Sequence, residues 1–205
     1  MKVVCLSDTH LRHAGLDVPD GDLLVVAGDV TRRGAPEELA EVDRWLAGLP
    51  HRHKVLVAGN HDFGLQHDPG AGARLTGATY LEDSGTTVDG LTVWGSPWQP
   101  LFFDWAFNLP RGAPLRERWD LIPAGTTILV THGPPRGILD RVDDGQHVGC
   151  DDLLTAVRRV RPRLHVFGHI HESAGTTEVD GTVFVNASVC DRRYRPVNPP
   201  IVVEL

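Results

Sequence analysis

Apolar residues in this chain come in short unbroken runs, and five of those runs end in a cluster of Asp, Asn and His. Val3-Val4-Cys5-Leu6 leads into Ser7-Asp8-Thr9-His10, Leu23-Leu24-Val25-Val26 into Gly28-Asp29, and Val55-Leu56-Val57 into Gly59-Asn60-His61-Asp62. Ile128-Leu129-Val130 leads into Thr131-His132-Gly133, and His165-Val166-Phe167 into Gly168-His169-Ile170-His171. Short β-branched runs of this kind read as strands buried on both faces. In an open α/β sheet, ligands sit beyond the carboxyl ends of the strands. The pattern is therefore expected to deliver several metal-type ligands to one edge of one sheet.

A second period marks two helices. Pro36 fits a first helical position, Glu37 and Glu38 suit the positive end of the dipole, and Leu39, Val42, Leu46 and Leu49 form an apolar stripe. From about Asp151 to Arg161, Leu153, Leu154, Val157 and Val160 make an apolar face. Acidic residues open that segment, arginines end it and Pro162 closes it. The rest is strand-rich: Thr79 to Leu81, Thr86 to Val88, Leu91 to Trp94, Thr176 to Val179, Thr182 to Val185 and Ile201 to Val203. Asp89-Gly90 and Asp180-Gly181 are strong hairpin signals. The expected architecture is α/β, with two face-packed mixed β-sheets flanked by helices. Ser96 to Pro114, with Trp98, Phe102, Phe103, Trp105 and Phe107, reads as a long ordered loop, a kind of segment that is often functional.

Length, 205 residues, fits one domain over 1–205. No apolar stretch approaches the roughly 18 residues of a membrane span. The chain opens on a strand with a motif residue at position 8, which leaves no room for a cleavable signal. Cys5, Cys150 and Cys190 are scattered, so they read as reduced thiols, and the expected location is cytoplasmic. Asn186-Ala187-Ser188 matches a glycosylation acceptor by chance on this reading. The net charge of −7 argues against a nucleic-acid polymer as partner. It leaves a small anionic substrate open, since bound ions supply local positive charge.

The candidate ligands are two carboxylates, Asp8 and Asp29, one amide, Asn60, and the imidazoles of His10, His132, His169 and His171. Asp8/His10 and His169/His171 are spaced i, i+2, which in a strand aims both side chains to one side. One such residue at a strand end is ordinarily a cap or turn former; five coinciding clusters point to a metal site. The set is too large for one tetrahedral ion and suits two ions sharing a carboxylate. Its mixed N/O character favours Mn, Fe, Zn or Co over Ca or Mg. His13, His51, His53, His67, His147 and His165 lack this context and read as surface or core.

These five blocks, in order across residues 8 to 171, resemble the calcineurin-like metallophosphoesterase superfamily. Gly95-Ser96-Pro97-Trp98, Phe107-Asn108-Leu109-Pro110-Arg111-Gly112, Thr131-His132-Gly133-Pro134-Pro135 and Asn198-Pro199-Pro200-Ile201 resemble one branch, the small metallophosphoesterase-domain-containing proteins. The resemblance implies a four-layer α/β/β/α fold forming a single metallophosphoesterase domain. It implies one metal on Asp8, His10 and His171, another on Asn60, His132 and His169, and Asp29 between them. His61 would be the catalytic histidine that binds no metal and stands near the leaving group. The ions would be divalent transition metals, manganese first, then iron, zinc or cobalt. Some animal members of the branch carry Gly where this chain has His169.

Two divalent ions roughly 3.5–4 Å apart, set against two carboxylates and a bridging hydroxide, leave a core of about +1 that attracts a phosphoester anion. The expected reaction is in-line attack of the metal-bridging hydroxide on phosphorus, with His61 donating a proton to the departing oxygen. Asp62 is expected either to orient a histidine or to serve a turn. Trp98, Phe102, Phe103 and Trp105 are candidate substrate-binding rings, for a nucleobase among other groups, with at least half expected instead to cover the sheet edge. The branch resemblance implies small phosphodiesters, cyclic nucleotides among them. The alternatives are a phosphomonoesterase or protein phosphatase, or a non-catalytic nucleotide-binding regulator.

Overall fold

Apolar alternation within each strand sorts the chain into layers. The structure, a computed structural model, describes residues 1–205. One sheet holds β1 (Lys2–Leu6), β2 (Leu23–Val26), β3 (His53–Leu56), β4 (Thr79–Tyr80) and β13 (Ile201–Glu204), in the order β13-β1-β2-β3-β4. The other holds β5 (Ser84–Val88), β6 (Leu91–Ser96), β9 (Ile128–Thr131), β10 (Leu164–Phe167), β11 (Gly175–Val179) and β12 (Thr182–Asn186), in the order β11-β12-β10-β9-β6-β5. In each sheet the inner strands run parallel and a hydrogen-bonded antiparallel strand closes at least one edge. Both are mixed sheets, as the sequence predicts.

Every second residue of the apolar runs points between the sheets. Val3, Cys5, Leu23, Val25, Ile128, Val130, Leu164 and Val166 form that central core. Their neighbours Val4, Leu6, Leu24 and Val26 face outward onto Val42 and Leu46 of α1 (Pro36–Gly48). Leu129, Phe167 and Phe184 face the other way, onto Leu115 and Trp119 of α4 (Ala113–Asp120) and Leu153 and Val157 of α5 (Asp151–Val160). The result is helix, sheet, sheet, helix. Strands that are apolar at every position are what this layering requires, because both faces of each sheet are covered.

Local signals match their elements. Glu38 accepts the amides of Arg33 and Ala35 at 3.0 and 3.3 Å and so caps α1. Cys150 caps α5 through Sγ, 3.4 Å from the Leu153 amide. Asp89-Gly90 and Asp180-Gly181 both have positive φ at each residue, the mark of a tight type I′ hairpin. All three cysteines are free and buried. No helix is long and apolar enough to cross a membrane.

The segment from Ser96 to Pro114 is less of a loop than its sequence suggests. It contains β7 (Gln99–Pro100) paired with β8 (Asn108–Leu109) and the start of α4. Gln99 closes it by donating to the Ala106 carbonyl at 2.6 Å and to Asn108 Oδ1 at 3.0 Å. Two short helices, α2 (Phe63–His67) and α3 (Ala71–Arg74), also lie where no periodic signal marks them. Segments of four or five residues are too short to display a 3.6-residue period.

Candidate metal centre

The clusters do not share one sheet edge. Asp8, His10, Asp29, Asn60 and His61 follow β1, β2 and β3 of the first sheet, while His132, His169 and His171 follow β9 and β10 of the second. The expectation of a single edge fails because the strand runs are divided between two stacked sheets. The ligands meet because both sheets present the same ends to one side.

Strand alternation does not aim them either. Asp8, His10, Asp29 and His169 all have left-handed backbone, with φ of 57, 43, 52 and 69°. After β1, β2 and β10 the chain therefore turns sharply two or three residues beyond the strand end. Such conformations cost about 1–3 kcal/mol each in a non-glycine residue and persist where the surroundings over-determine them. Here the surroundings are backbone bonds between adjacent loops: Asp8 N to Gly28 O at 2.9 Å, His10 N to Asp29 O at 3.0 Å and Leu11 N to Val30 O at 3.1 Å. Glycine is required at two points of close approach. A Cβ on Gly168 would collide with the Asp8 carboxylate and Ser7, and one on Gly59 with Asp29 and His132.

Around Asp8, which is fully buried, stand His171 Nε2 at 3.3 Å, Ser188 Oγ donating at 2.8 Å and the His169 amide at 3.0 Å. Asp29 is equally enclosed. Its Oδ1 accepts the His61 amide at 2.7 Å, and its Oδ2 lies 3.5 Å from His132 Nε2 and 3.9 Å from His10 Nε2. The donor atoms of Asp8, His10 and His171 lie within 4.8 Å of one another, as do those of Asp8, Asp29 and His132, and those of His10, Asp29 and His61. Asn60 Oδ1 sits 2.9 Å from His132 Nε2. The His169 ring is 5.0 Å from that of His132, centroid to centroid. All eight of the residues picked from sequence as metal ligands or catalytic histidine are thus in one place.

The donor set fits divalent ions. His132 Nδ1 donates to the Ala27 carbonyl at 2.9 Å and His171 Nδ1 to the Asp191 carbonyl at 3.0 Å, so Nε2 of each ring faces the centre. Nε2 of His132 there meets two further acceptors, Asn60 Oδ1 and Asp29 Oδ2. His10 Nε2 is buried with no hydrogen-bond partner. Converging lone pairs with too few protons between them is the arrangement a cation completes.

Charge distribution agrees. Burial drives His10 down to about 4 and, with His132 nearby, His169 down to about 3, so both are neutral imidazoles. Burial also opposes charge on His132 and His171. Asp29 and Asp8 respectively outweigh it and lift each ring to about 9. The same pairings hold both carboxyls well below the usual range against their own burial. Metal-free protein at pH 7.5 thus carries protons on His132 and His171 that the ions must displace. Metal loading is expected to release about two protons from these rings near pH 7.5, beyond the one given up by bound water, and the ring contribution should vanish above about pH 10. Calorimetric titration in buffers of different ionisation enthalpy measures this, and proton-neutral loading would contradict it.

Asp62 orients no histidine. Its carboxylate accepts Gly59 N at 2.8 Å, Thr31 N at 2.9 Å and Thr31 Oγ1 at 2.7 Å, which makes it the tie between the β2 and β3 loops. Burial and the Asp29 charge push it up to about 6. Trp98 does not belong to the site. Its Nε1 donates to Asp83 at 2.8 Å, Arg118 lies 4.6 Å over its ring, and it packs on buried Phe107. Trp105 stands 5.2 Å from His61 and clusters with exposed Phe102 and Phe103 at the rim. Asn186 of the apparent glycosylation motif is buried beneath the centre, bonded to Leu139, Ile170 and Ser188.

Residues 1–173 match the family model described as calcineurin-like phosphoesterase. The chain belongs to that family. Human metallophosphoesterase domain-containing protein 1 is 46% identical over 230 residues, which cover 100% of this chain and 71% of the relative. The UPF0046 protein K07C11.7 of Caenorhabditis elegans is 41% identical over 217 residues, 98% of this chain and 74% of the relative. A solved structure of a phosphopantetheinyl hydrolase from Mycobacterium tuberculosis shares the fold, with a TM-score of 0.65 at 18% identity over 98% of this chain and 95% of that one. Calcineurin-like phosphoesterases use two divalent metals to hydrolyse phosphoesters, and this chain has the donor set for that chemistry.

Several residues around the centre escaped the sequence reading. Tyr194 lies 4.5 Å from His10 and 6.0 Å from both His61 and His171. It is presented by a tight turn in which Asp191 binds the Arg193 and Arg195 amides at 2.8 and 3.0 Å. The same Asp191 supplies the carbonyl that orients His171. Ser188 reaches Asp8 only because the chain after β12 bridges to Ser7 beside β1. Charge density in Cys190-Asp191-Arg192-Arg193-Tyr194-Arg195 is the sole sequence trace of that turn, and it carries no periodicity.

Proposed function

We propose that this chain hydrolyses small phosphodiesters, cyclic nucleotides among them, at a centre of two divalent ions, with manganese the preferred metal. The carrying observation is Asp29, whose Oδ2 lies within 4 Å of ring nitrogens from both histidine groups, beside an unpartnered His10 nitrogen. On this reading Asp8, His10 and His171 would hold one ion, Asn60, His132 and His169 the other, and Asp29 would be shared between them. When bound, the ions supply Lewis acidity toward phosphoryl oxygens and make hydroxide available at neutral pH.

The chain's own groups do the rest. His61 Nδ1 lies 3.2 Å from the Arg32 carbonyl and donates to it, which leaves Nε2 to handle the proton of the departing oxygen. The Asp29 bond to the His61 amide holds that residue beside the centre. Preference for a diester rests on shape. Two lobes, of about 520 and 550 Å³, meet at His10, His61, Trp105 and Tyr194, so each ester substituent has a place to lie. A monoester needs only one.

Protein reconstituted with manganese is expected to bind two ions per chain and to turn over an aryl diester at least about tenfold faster, in kcat/KM, than the aryl monoester. Cyclic nucleotides of both ring forms complete the panel. A saturated stoichiometry of one or none, or monoester preference, would overturn the proposal.

His169 decides between catalysis and a binding-only role. His169→Gly is expected to keep the melting temperature of the metal-free protein, to bind one ion tightly and one weakly, and to lose most turnover. High metal concentration should restore part of the activity by mass action. Normal turnover at trace metal would remove His169 from the centre.

A further inference from the structure

The two lobes that meet at the centre differ in charge. The larger lobe is lined by Asp143, Asp144 and Glu172, and its one arginine, Arg192, is engaged with Asp143 and Glu172. The other is lined by Arg12, Arg32 and Arg33 against a single carboxylate, Asp104. None of those three guanidinium groups forms an ion pair: Arg33 lies over the Phe63 ring at 5.9 Å, and Arg12 and Arg32 have no side-chain hydrogen bond. In a chain of net charge −7, a local excess of arginine beside the reacting centre needs a reason.

The loop that carries two of them is held in place. Thr31 donates its amide and hydroxyl to buried Asp62 at 2.9 and 2.7 Å. Arg32 lends its carbonyl to His61, and the Arg33 amide donates to Glu38 at 3.0 Å. Arginines on a backbone fixed at three successive residues are organised before a ligand arrives, which lowers the ordering cost of binding. Guanidinium is also the side chain whose planar fork matches phosphate oxygens in pairs.

We propose that Arg12, Arg32 and Arg33 form a subsite for a second phosphate of the substrate, on the His61 side of the centre. The substrate class is then a nucleotide phosphodiester carrying a further phosphate, its base against the Trp105 and Phe103 rings that share the lobe. This deepens the diester reading above and rests on it for the reaction, while the subsite itself is a matter of binding. The acidic lobe opposite repels a second anion, so the charge difference also sets the direction in which the ester lies across the ions.

The test is equilibrium binding to the manganese-loaded protein, with adenosine 5′-monophosphate and adenosine 3′,5′-bisphosphate as ligands. The bisphosphate is expected to bind roughly 10- to 100-fold tighter, the worth of one or two charge-assisted contacts. In the double variant Arg32→Ala/Arg33→Ala that advantage should fall below about threefold while the monophosphate affinity barely moves. Arg74→Ala, a remote charge removal, should leave the advantage intact. A bisphosphate that gains nothing in the natural protein overturns the subsite. So does an advantage that survives the double variant, or a double variant that weakens both ligands equally. Failure of the ester panel would reject the diester reading, whereas the ratio of the two affinities judges the arginines without any turnover.

Discussion

Asp29→Asn should strip both ions from the protein and abolish measurable turnover, a larger effect than any other single substitution at the centre. Asp29 is 2% exposed, and its Oδ2 lies within 4 Å of ring nitrogens on both sides, His132 at 3.5 Å and His10 at 3.9 Å. Asn keeps the shape and one oxygen, so the His61 amide retains an acceptor and the loops keep their course. It removes the negative charge that offsets two cations. Changes in groups one step removed from a metal cost about 10–100-fold in affinity, and loss of a shared ligand is expected to exceed that for both ions. Elemental analysis and melting of the metal-free variant together check this. Full occupancy of either position would show that the two sites are independent and that Asp29 does not join them.

His61→Ala should act on rate alone. Expected is a fall in kcat of roughly 10²–10⁴-fold, the usual worth of a positioned acid, with two ions still bound. The prediction is sharp because His61 lies close enough to His10 and Asp29 to be taken for a ligand. Two features set it apart. Its Nδ1 is engaged with Arg32, and its ring stands at the meeting of the lobes, 5.2 Å from Trp105 and 6.0 Å from Tyr194. The backbone amide that Asp29 uses survives in Ala, so a collapse of the carboxylate is not an alternative cause. Substrates with good aryl leaving groups need little proton donation, and the loss should shrink for them. Release of a metal ion from the variant would instead make His61 a ligand.

The balance of charge at the centre explains why the fold tolerates so much buried polarity. Asp8, Asp29, His10, His132 and Asn60 are all nearly inaccessible, yet each except His10 has partners. The bonds run between the sheets: His132 to Ala27, the His169 amide to Asp8, Ser188 to Asp8. Buried charges that are paired and hydrogen-bonded cost far less than isolated ones. Removing one partner leaves the other stranded, so substitutions at Asp8 are expected to unsettle the packing of one sheet on the other as well as the ions.

Much of this was written in local sequence. Strands that are apolar at every position announce burial on both faces, which a sheet between a helix layer and another sheet demands. Asp89-Gly90 and Asp180-Gly181 determine their hairpins because few residues accept positive φ at two successive positions. Pro36 with Glu38, and Asp151 with Pro162, mark helix ends through missing donors and dipole charge, forces that act within a turn or two. The ligand residues were legible for the same reason: each stands directly after its strand, and strand ends gather at sheet edges.

Tertiary structure alone decided how those ends meet. An apolar run states that it is buried but not in which sheet, and β1 to β3 share one sheet while β9 and β10 lie in the other. Spacing of i, i+2 suggested alternation along a strand, but Asp8 and His169 turn through left-handed backbone that bonds to neighbouring loops stabilise. The role of Trp98 depended on Asp83 and Arg118, and that of Asp62 on Thr31, partners up to 31 residues away. Tyr194 and the three arginines carry no periodic signal at all, since a cleft is a property of surfaces brought together from distant segments. Local chemistry determines which residues can bind and turn; only long-range packing determines which of them face one another.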